Sequence, residues 1–253
     1  MNRRSNLVRL AQQWVSAFLD PKRVLAVSAL PRYFVDWYRY KSSSKPQSVR
    51  WVDTFPCLSD RSYHPPLDFH YFYQASWVMR KLAESPPPWH MDIGSSVNMI
   101  AVVSALIPTV CVDFRPLGAK LDGLISLAAD LLALPFHTES VQSMSCLHVI
   151  EHVGLGRYGD KLDPHGSTKA AQEISRVLKP GGRLLLSIPV GVERVQFNAH
   201  RIFSPRTALS MFGGLELSHF SMVDDDGKFS FGVDPERSVE CRYACGMFEF
   251  WKR

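Results

Sequence analysis

Two carboxylates separated by about twenty residues follow consecutive predicted strands. Asp92 and Gly94 stand where the first strand turns into a helix, and Asp113 ends the second strand. In open α/β sheets, ligands bind at the carboxyl ends of the strands, where a helix N-terminus offers free backbone N–H groups. A carboxylate at the end of the second strand can accept hydrogen bonds from two ribose hydroxyls. The spacing therefore favours a nucleoside-binding site, and a strand-end turn aspartate is the alternative.

The candidate nucleoside site extends over several loops. The dinucleotide fingerprint GxGxxG is absent, because Ser96 and Asn98 stand where further glycines are expected. Asp130 follows a third predicted strand and can accept a hydrogen bond from an adenine amino group, with Leu131 flanking the ring; a turn aspartate is again the alternative. The predicted cofactor-binding residues are Asp92, Gly94, Ser95, Ser96, Asp113, Phe114, Asp130, Leu131 and His148.

The segment 146–160, CLHVIEHVGLGRYGD, follows the fourth predicted strand and contains the candidate catalytic residues. His152 is the candidate general base, because an imidazole titrates near neutral pH. Glu151 can orient His152 or act as the base itself. His200 follows the fifth predicted strand and is a second base candidate, while Arg201 can bind an anionic acceptor or pair with Glu151. The alternative is that Glu151 and His152 brace the following helix.

Alternating strands and helices are predicted from Trp89 onward, which indicates an α/β fold with a mainly parallel sheet and helices on both faces. The predicted strands are 90–93, 109–113, a short one before Asp130, 141–147 and 182–188. The predicted helices are 96–106, 118–128, 167–178 and 205–212. Segments 215–223 and 243–251 are predicted to close the sheet as an antiparallel pair.

The N-terminal part of the chain is basic. Residues 1–50 contain ten Lys or Arg and two Asp, a net charge of +8, whereas the whole chain has a net charge of +5. We predict helices over 6–19, 24–40 and 68–83. The predicted domains are a basic helical arm with its linker (1–47), a helical lead-in (48–87) and a Rossmann-like domain (88–253). A basic aromatic helix can lie on a membrane surface, and packing against the domain is the alternative.

Composition limits the other partners and the compartment. Five cysteines without a CxxC pair predict reduced thiols, with neither a disulfide framework nor a metal site. The longest apolar run, 99–112, is shorter than the roughly 18 residues that a membrane helix needs. We therefore expect a cytoplasmic protein, peripheral to a membrane if the arm binds one. The positive charge lies in the arm, away from the candidate site, so no nucleic-acid partner is expected.

Residues 170–189, AAQEISRVLKPGGRLLLSIP, resemble the helix, Pro-Gly-Gly turn and fifth strand of class I S-adenosylmethionine-dependent methyltransferases. LHVIEHV, at 147–153, resembles the fourth-strand exit of that superfamily. More narrowly, CLHVIEHVGLGRYGD, FNAHRIFSP and CGMFEFWKR resemble the uncharacterised domain-of-unknown-function family 268, which implies no substrate. The superfamily resemblance implies the Rossmann-like methyltransferase fold, S-adenosylmethionine as cofactor and methyl transfer as the activity.

The predicted function is O-methylation of a small-molecule or glycan acceptor, and three other functions are weighed against it. A non-catalytic module of the same fold would bind a ligand or partner without reaction. An NAD(P)-dependent oxidoreductase shares the fold and Asp113 but needs phosphate-binding glycines. The motif HxxEH at 148–152 occurs in inverted zinc peptidases, but there both histidines must lie on one helix face, and here the motif begins at a strand end.

Overall fold

The chain divides into two compact units, Met1–Pro66 and Leu67–Arg253. The computed structural model describes residue 15 and residues 26–42, 51–58 and 66–253. The predicted helix over 6–19 and the predicted linker over 41–47 thus fall almost entirely outside the described residues.

In the first unit, a 3-10 turn at Val27–Ala29 leads into helix α1, Leu30–Lys41, which has a proline in its first turn. Proline is compatible with that position because its missing N–H would have no partner there. The ring of Phe34 stacks on Trp51 at 5.9 Å between centroids, and Trp37 meets Trp51 edge-on at 5.5 Å. Within the described part of the chain, no helix combines the length and apolar character needed to cross a bilayer.

The second unit is built on a single large sheet. Its strands, with a separate β6–β7 hairpin, are β1 His90–Ile93, β2 Thr109–Asp113, β3 Leu124–Ala128, β4 Val141–Leu147, β5 Leu178–Val190, β6 Arg194–Gln196, β7 His200–Ile202, β8 Leu215–Val223, β9 Phe229–Ser230 and β10 Ala244–Lys252. The order is β3-β2-β1-β4-β5-β10-β8-β9. Strands β3, β2, β1, β4 and β5 pair in parallel with their neighbours. Strand β10 pairs antiparallel with β5 and with β8, and β9 pairs antiparallel with β8. The predicted α/β fold with an antiparallel closing pair is confirmed.

Helices cover both faces of this sheet. They are α2 Phe69–Glu84, α3 Val97–Ser104, α4 Gly166–Val177 and α5 Pro205–Met211. Successive residues of β5 alternate between two buried clusters, because neighbouring side chains of a strand point to opposite faces. Leu185 packs with α2 and α3, whereas Leu184 and Leu186 pack with α4 and α5. Helix α2, which we assigned to the lead-in, therefore packs on the sheet within the second unit.

The helix predicted over 118–128 is wrong. Its second half is the strand β3, which pairs in parallel with β2 from Leu124 to Ala128. Gly123 has φ +77°, and a Cβ there would lie 2.6 Å from the carbonyl oxygen of Ser104. A residue in this left-handed region ends any helix, and pairing with β2 then outweighs the weak helical pattern. The short strand predicted before Asp130 is confirmed by the same residues.

Candidate functional site

A cleft opens at the carboxyl ends of β1, β2 and β4. In the sheet, β2 and β3 lie on one side of β1, and β4 and β5 lie on the other side, so the order of the strands reverses at β1. With its open mouth included, the cleft encloses about 850 Å³. Seven of the predicted site residues line it: Gly94, Asp113, Phe114, Asp130, Leu131, His148 and His152. The fold thus brings together residues that lie far apart in the chain.

Gly94 brings the first turn against the end of β2. Its φ is +58°, and a Cβ built on it would lie 3.3 Å from Oδ2 of Asp113 and 3.4 Å from the Val149 side chain. Asp113 is held by a hydrogen bond to its Oδ1 from the backbone N–H of Arg115, at 2.7 Å. The guanidinium of Arg115 lies over the ring of Tyr158 at 4.8 Å. Arg115 therefore orients Asp113 through its backbone.

Asp92 and Ser95 support the first turn from behind. The buried Asp92 carboxylate accepts hydrogen bonds from the backbone N–H of Ser95, at 3.0 Å, and from the hydroxyl of Ser145. Burial raises the pKa of Asp92 to about 6. The Ser95 hydroxyl in turn accepts from the backbone N–H of Leu147, at 3.3 Å. These bonds join β1 to β4, so both side chains brace the first turn, and their direct contact with a cofactor stays a prediction.

Ser96 belongs to a different surface. It is the residue before the first turn of α3, and its side chain makes no capping hydrogen bond. It lines a hollow beneath α2 together with Asp68, Tyr71 and Gln74. Ser96 is not among the residues that line the main cleft, and its contact with a cofactor stays a prediction.

His148 leaves β4 in a left-handed backbone conformation, with φ +55°. Its Nδ1 lies 2.8 Å from Oε1 of the buried Glu151. Burial opposes protonation of His148, yet Cys245 and Glu151 raise the pKa of its imidazole to about 10. Residues 150–154 form turns and residue 149 belongs to no helix, so no helix runs through the HxxEH motif. The geometry of an inverted zinc peptidase is therefore absent at this motif.

His152 has a different partner on Nδ1. That nitrogen lies 2.6 Å from the carbonyl oxygen of Ala199. Since a carbonyl only accepts, Nδ1 carries the proton and Nε2 presents a lone pair. Burial lowers the pKa of His152 below its usual value, so the ring is neutral near pH 7. Nε2 lies 3.8 Å from Oε1 of Glu151. Glu151 thus contacts both histidines, with the shorter distance to His148.

His200 and Arg201 follow in β7. Burial and the nearby His152 lower the pKa of His200 to about 4, and its ring lies 4.9 Å from the ring of Tyr243. The guanidinium of Arg201 is buried and donates to the carbonyl of Val153 at 2.6 Å and to the hydroxyl of Ser167 at 3.0 Å. Arg201 therefore braces the segment after β4. Its predicted roles, binding an anionic acceptor or pairing with the Glu151 carboxylate, are corrected.

Sequence reasoning missed three ring side chains beside His148. His70 and Tyr71 lie at the start of α2, where Asp68 accepts hydrogen bonds from both of their backbone N–H groups. The ring of His70 stacks on His148 at 5.6 Å and on Tyr243 at 5.1 Å. No spacing rule relates the start of α2, the end of β4 and the start of β10. The only local sequence features that marked this position were Asp68 at the start of the helix and the ring residues His70 and Tyr71 that follow it.

Structural comparison identifies the fold. The N-methyltransferase NodS from Bradyrhizobium japonicum WM9, in complex with S-adenosyl-L-homocysteine, superposes with a TM-score of 0.51 at 13% identity, over 86% of this chain and 97% of NodS. Geranyl diphosphate C-methyltransferase from Streptomyces coelicolor A3(2) gives a TM-score of 0.51 at 15% identity, over 72% of this chain and 77% of that enzyme. The chain has the class I methyltransferase fold. The predicted resemblance to that superfamily is thereby confirmed for the fold.

The methyltransferase fold also supports other reactions. The [4+2]-cyclase SpnF superposes with a TM-score of 0.51 at 14% identity, over 71% of this chain and 80% of the cyclase. A family model described as "Caenorhabditis protein of unknown function, DUF268" matches residues 131–234, which confirms the narrower resemblance over that segment. Among curated proteins, no sequence matches the chain.

Proposed function

We propose that this chain is an S-adenosylmethionine-dependent methyltransferase that methylates a hydroxyl of a small-molecule or glycan acceptor. The observation that carries the proposal is the close approach of Gly94 to Asp113 at the reversal point of the sheet. There a backbone without a side chain and a strand-end carboxylate face the same cleft. This combination suits a nucleoside with a free ribose diol.

The rest of the cleft fits the same ligand. Asp113 would accept from the ribose hydroxyls, Asp130 from the adenine amino group, and Phe114 and Leu131 would flank the ring. Only one glycine stands in the first turn, whereas a dinucleotide pyrophosphate needs close backbone approach at several. The residues therefore favour a nucleoside without phosphate. When bound, S-adenosylmethionine supplies an electrophilic methyl group on a sulfonium.

His152 is the proposed general base for the acceptor hydroxyl. It lines the cleft, its Nδ1 is fixed by the Ala199 carbonyl, and its Nε2 lone pair is available at neutral pH. A hydroxyl acceptor needs a base because the neutral group is a weak nucleophile. Glu151 and Ala199 thus position a base at the same edge as the nucleoside residues.

Calorimetric titration with S-adenosylmethionine and S-adenosylhomocysteine tests the cofactor site. We expect micromolar binding of both, abolished by Asp113→Ala. Asp122→Ala is the matched control, because Asp122 precedes β3 and therefore lies at the amino ends of the parallel strands, away from the cleft at their carboxyl ends. Absence of binding to the well-folded wild-type protein would overturn the proposal, and so would equal affinity in the Asp113→Ala variant.

A non-catalytic module of the same fold is the second candidate. It is favoured by the reduced glycine loop, in which Ser96 and Asn98 stand where further glycines are expected. The chemistry of SpnF, a cyclase, illustrates that this fold does not imply methyl transfer. Cofactor binding without any methylated product across hydroxyl, carboxylate and amine acceptor panels would favour this candidate.

A further inference from the structure

Three potential metal ligands converge beside the cleft. They are His70 at the start of α2, His148 at the end of β4 and Cys245 in β10, and one ligand atom from each lies within 4.8 Å of the other two. Cys245 is fully buried, and His148 is nine-tenths buried. The three come from separate elements of the second unit, so only the folded sheet assembles them.

The hydrogen bonds of His148 leave one nitrogen free for a ligand. Its Nδ1 donates to the Glu151 carboxylate, so Nε2 is the nitrogen that can bind a metal, once it has released its proton. Nε2 is buried, and it forms no hydrogen bond with a nitrogen or oxygen atom of any described residue. A carboxylate on the far nitrogen is the usual support of a metal-binding histidine, because it fixes the ring and its tautomer.

Charge also favours a cation at this point. Glu151 is buried, and its Oε2 finds no hydrogen-bond partner among the residues that the structure describes. A thiolate at Cys245 would add a second negative charge. Burying such charges is costly unless they are paired. A divalent cation bound by His148 and Cys245 would replace the proton of His148 and neutralise both the Glu151 carboxylate and the Cys245 thiolate.

We propose that His70, His148 and Cys245 bind one divalent transition-metal ion of the zinc type. Two imidazoles and a thiolate select zinc, cobalt or copper over the oxygen-preferring magnesium and calcium. Ligand atoms around tetrahedral zinc lie about 3.5 Å apart, given bonds of about 2.0–2.3 Å. Closing from 4.8 Å requires the ring of His70 to turn out of its stack on His148, and His70 is only half-buried, in the first turn of a helix. The sequence alone predicted no metal site.

Three protein ligands leave a fourth coordination position, as in catalytic zinc sites. Because His148 also lines the cleft, an acceptor bound there can complete the coordination. This step rests on the proposed methyl transfer. It restricts the acceptor to a compound with a hydroxyl or thiol, since zinc lowers the pKa of such a group when it binds. The metal site itself does not depend on methyl transfer.

Cobalt(II) titration of the full-length, metal-stripped protein tests the site. We expect one equivalent to bind with a thiolate-to-cobalt charge-transfer band in the near ultraviolet. Binding should release the Cys245 thiol proton to the buffer, because a ligating sulfur is deprotonated. Zinc should displace the cobalt and abolish the band.

Matched variants assign the ligands. Cys245→Ser and His70→Asn should lose the band and weaken zinc binding at least tenfold. Cys241→Ser and His137→Asn should retain both, since these residues lie outside the cluster. If Cys245→Ser does not fold, His70→Asn alone carries the test, because His70 is only half-buried.

No stoichiometric binding of cobalt or zinc to the wild-type protein would overturn the site, and so would a band that survives His70→Asn. Rapid alkylation of Cys245 in protein saturated with zinc would also overturn it, and would identify a thiolate–imidazolium pair with His148. Cofactor titration of the same samples distinguishes the two proposals. Loss of metal binding with intact cofactor binding rejects only the metal site.

Discussion

His148 and His152 are four residues apart, and their rings differ in charge because Nδ1 has a different hydrogen-bond partner in each. In His148 that nitrogen lies against a buried carboxylate, which favours a positive charge on the ring. In His152 it lies against a backbone carbonyl, and burial keeps the ring neutral. The same residue type is thus suited to hold a proton at one position and to remove a proton at the other.

Replacing His152 with alanine should lower kcat by about 10²–10⁴-fold, the usual contribution of a general base. The affinity for S-adenosylmethionine should remain nearly unchanged, because Asp113 and Asp130 are intact. Steady-state kinetics and calorimetry measure the two effects separately. His165→Ala, at an exposed position, is the matched control. Equal turnover in His152→Ala and the wild type would assign His152 a structural role, and His200 would be the next residue to replace.

For single residues, the sequence predicted which positions lie near the cleft better than it predicted which side chains face a ligand there. Asp113, Asp130 and His152 line the cleft because strand ends in a parallel sheet share one edge. Asp92, in contrast, forms its hydrogen bonds inside the fold, and Arg201 donates to carbonyls of a neighbouring loop. Whether a polar residue faces the ligand or braces the chain depends on partners that are distant in sequence.

Between elements, a buried chain of polar side chains links β1 to β4. His90 lies 2.8 Å from the Ser143 hydroxyl through Nδ1 and 2.9 Å from the Ser145 hydroxyl through Nε2. Ser145 donates onward to Asp92. Burial lowers the pKa of His90 to about 3, so this ring is neutral and both of its nitrogens are used. These hydrogen-bonded side chains fix the register of β1 and β4, whose carboxyl ends form the cleft.

Asp92→Asn should change how stability depends on pH. The pKa of Asp92 is about 6 in the folded protein and 3.8 as a free side chain. Between these values the unfolded chain releases a proton that the folded chain keeps, so this group makes stability fall as pH rises. Relative to the wild type, the Asp92→Asn variant should therefore gain about 2 kcal/mol in the free energy of unfolding from about pH 4 to about pH 7.

Urea denaturation of both proteins across that pH range measures the difference. Asp226→Asn, in an exposed turn, should show no such trend. A stability difference between Asp92→Asn and the wild type that is constant with pH would contradict the raised pKa.

The elements were more predictable than their contacts. The predicted strands from β1 to the closing antiparallel pair need revision mainly at their ends, because apolar runs bounded by turn residues mark buried strands. The exception is the segment 118–128, in which pairing with the parallel strand β2 makes the second half a strand and not a helix. The pairing of β3 with β2 cannot be read from local propensity.

In the whole molecule, the basic N-terminal arm is the candidate membrane contact, within a protein that we otherwise propose to be cytoplasmic. Helix α1 exposes Phe34 and Tyr38 beside Arg32 and Arg39. Aromatic rings and cations on one short helix suit an anionic lipid surface. We propose this contact for the first unit alone.

Deleting residues 1–45 should abolish binding to vesicles that contain anionic lipid. In the full-length chain, replacing Arg32 and Arg39 with glutamine should weaken the binding about 30-fold, because each cation near such a surface contributes about 1 kcal/mol. Vesicle co-sedimentation measures both effects, and neutral vesicles serve as the control. Membrane association that survives the deletion would exclude the arm as the contact.

The position of β10 has a consequence for how the second unit assembles. This strand lies between β5 and β8, although it follows both in the chain. Until it docks, the long buried edge of β5 exposes unpaired N–H and C=O groups, and β8 has no neighbour linking it to the parallel strands. Unpaired edges of this kind are templates for association between partly folded chains. The interval before β10 arrives is therefore the period in which this protein is most vulnerable to aggregation.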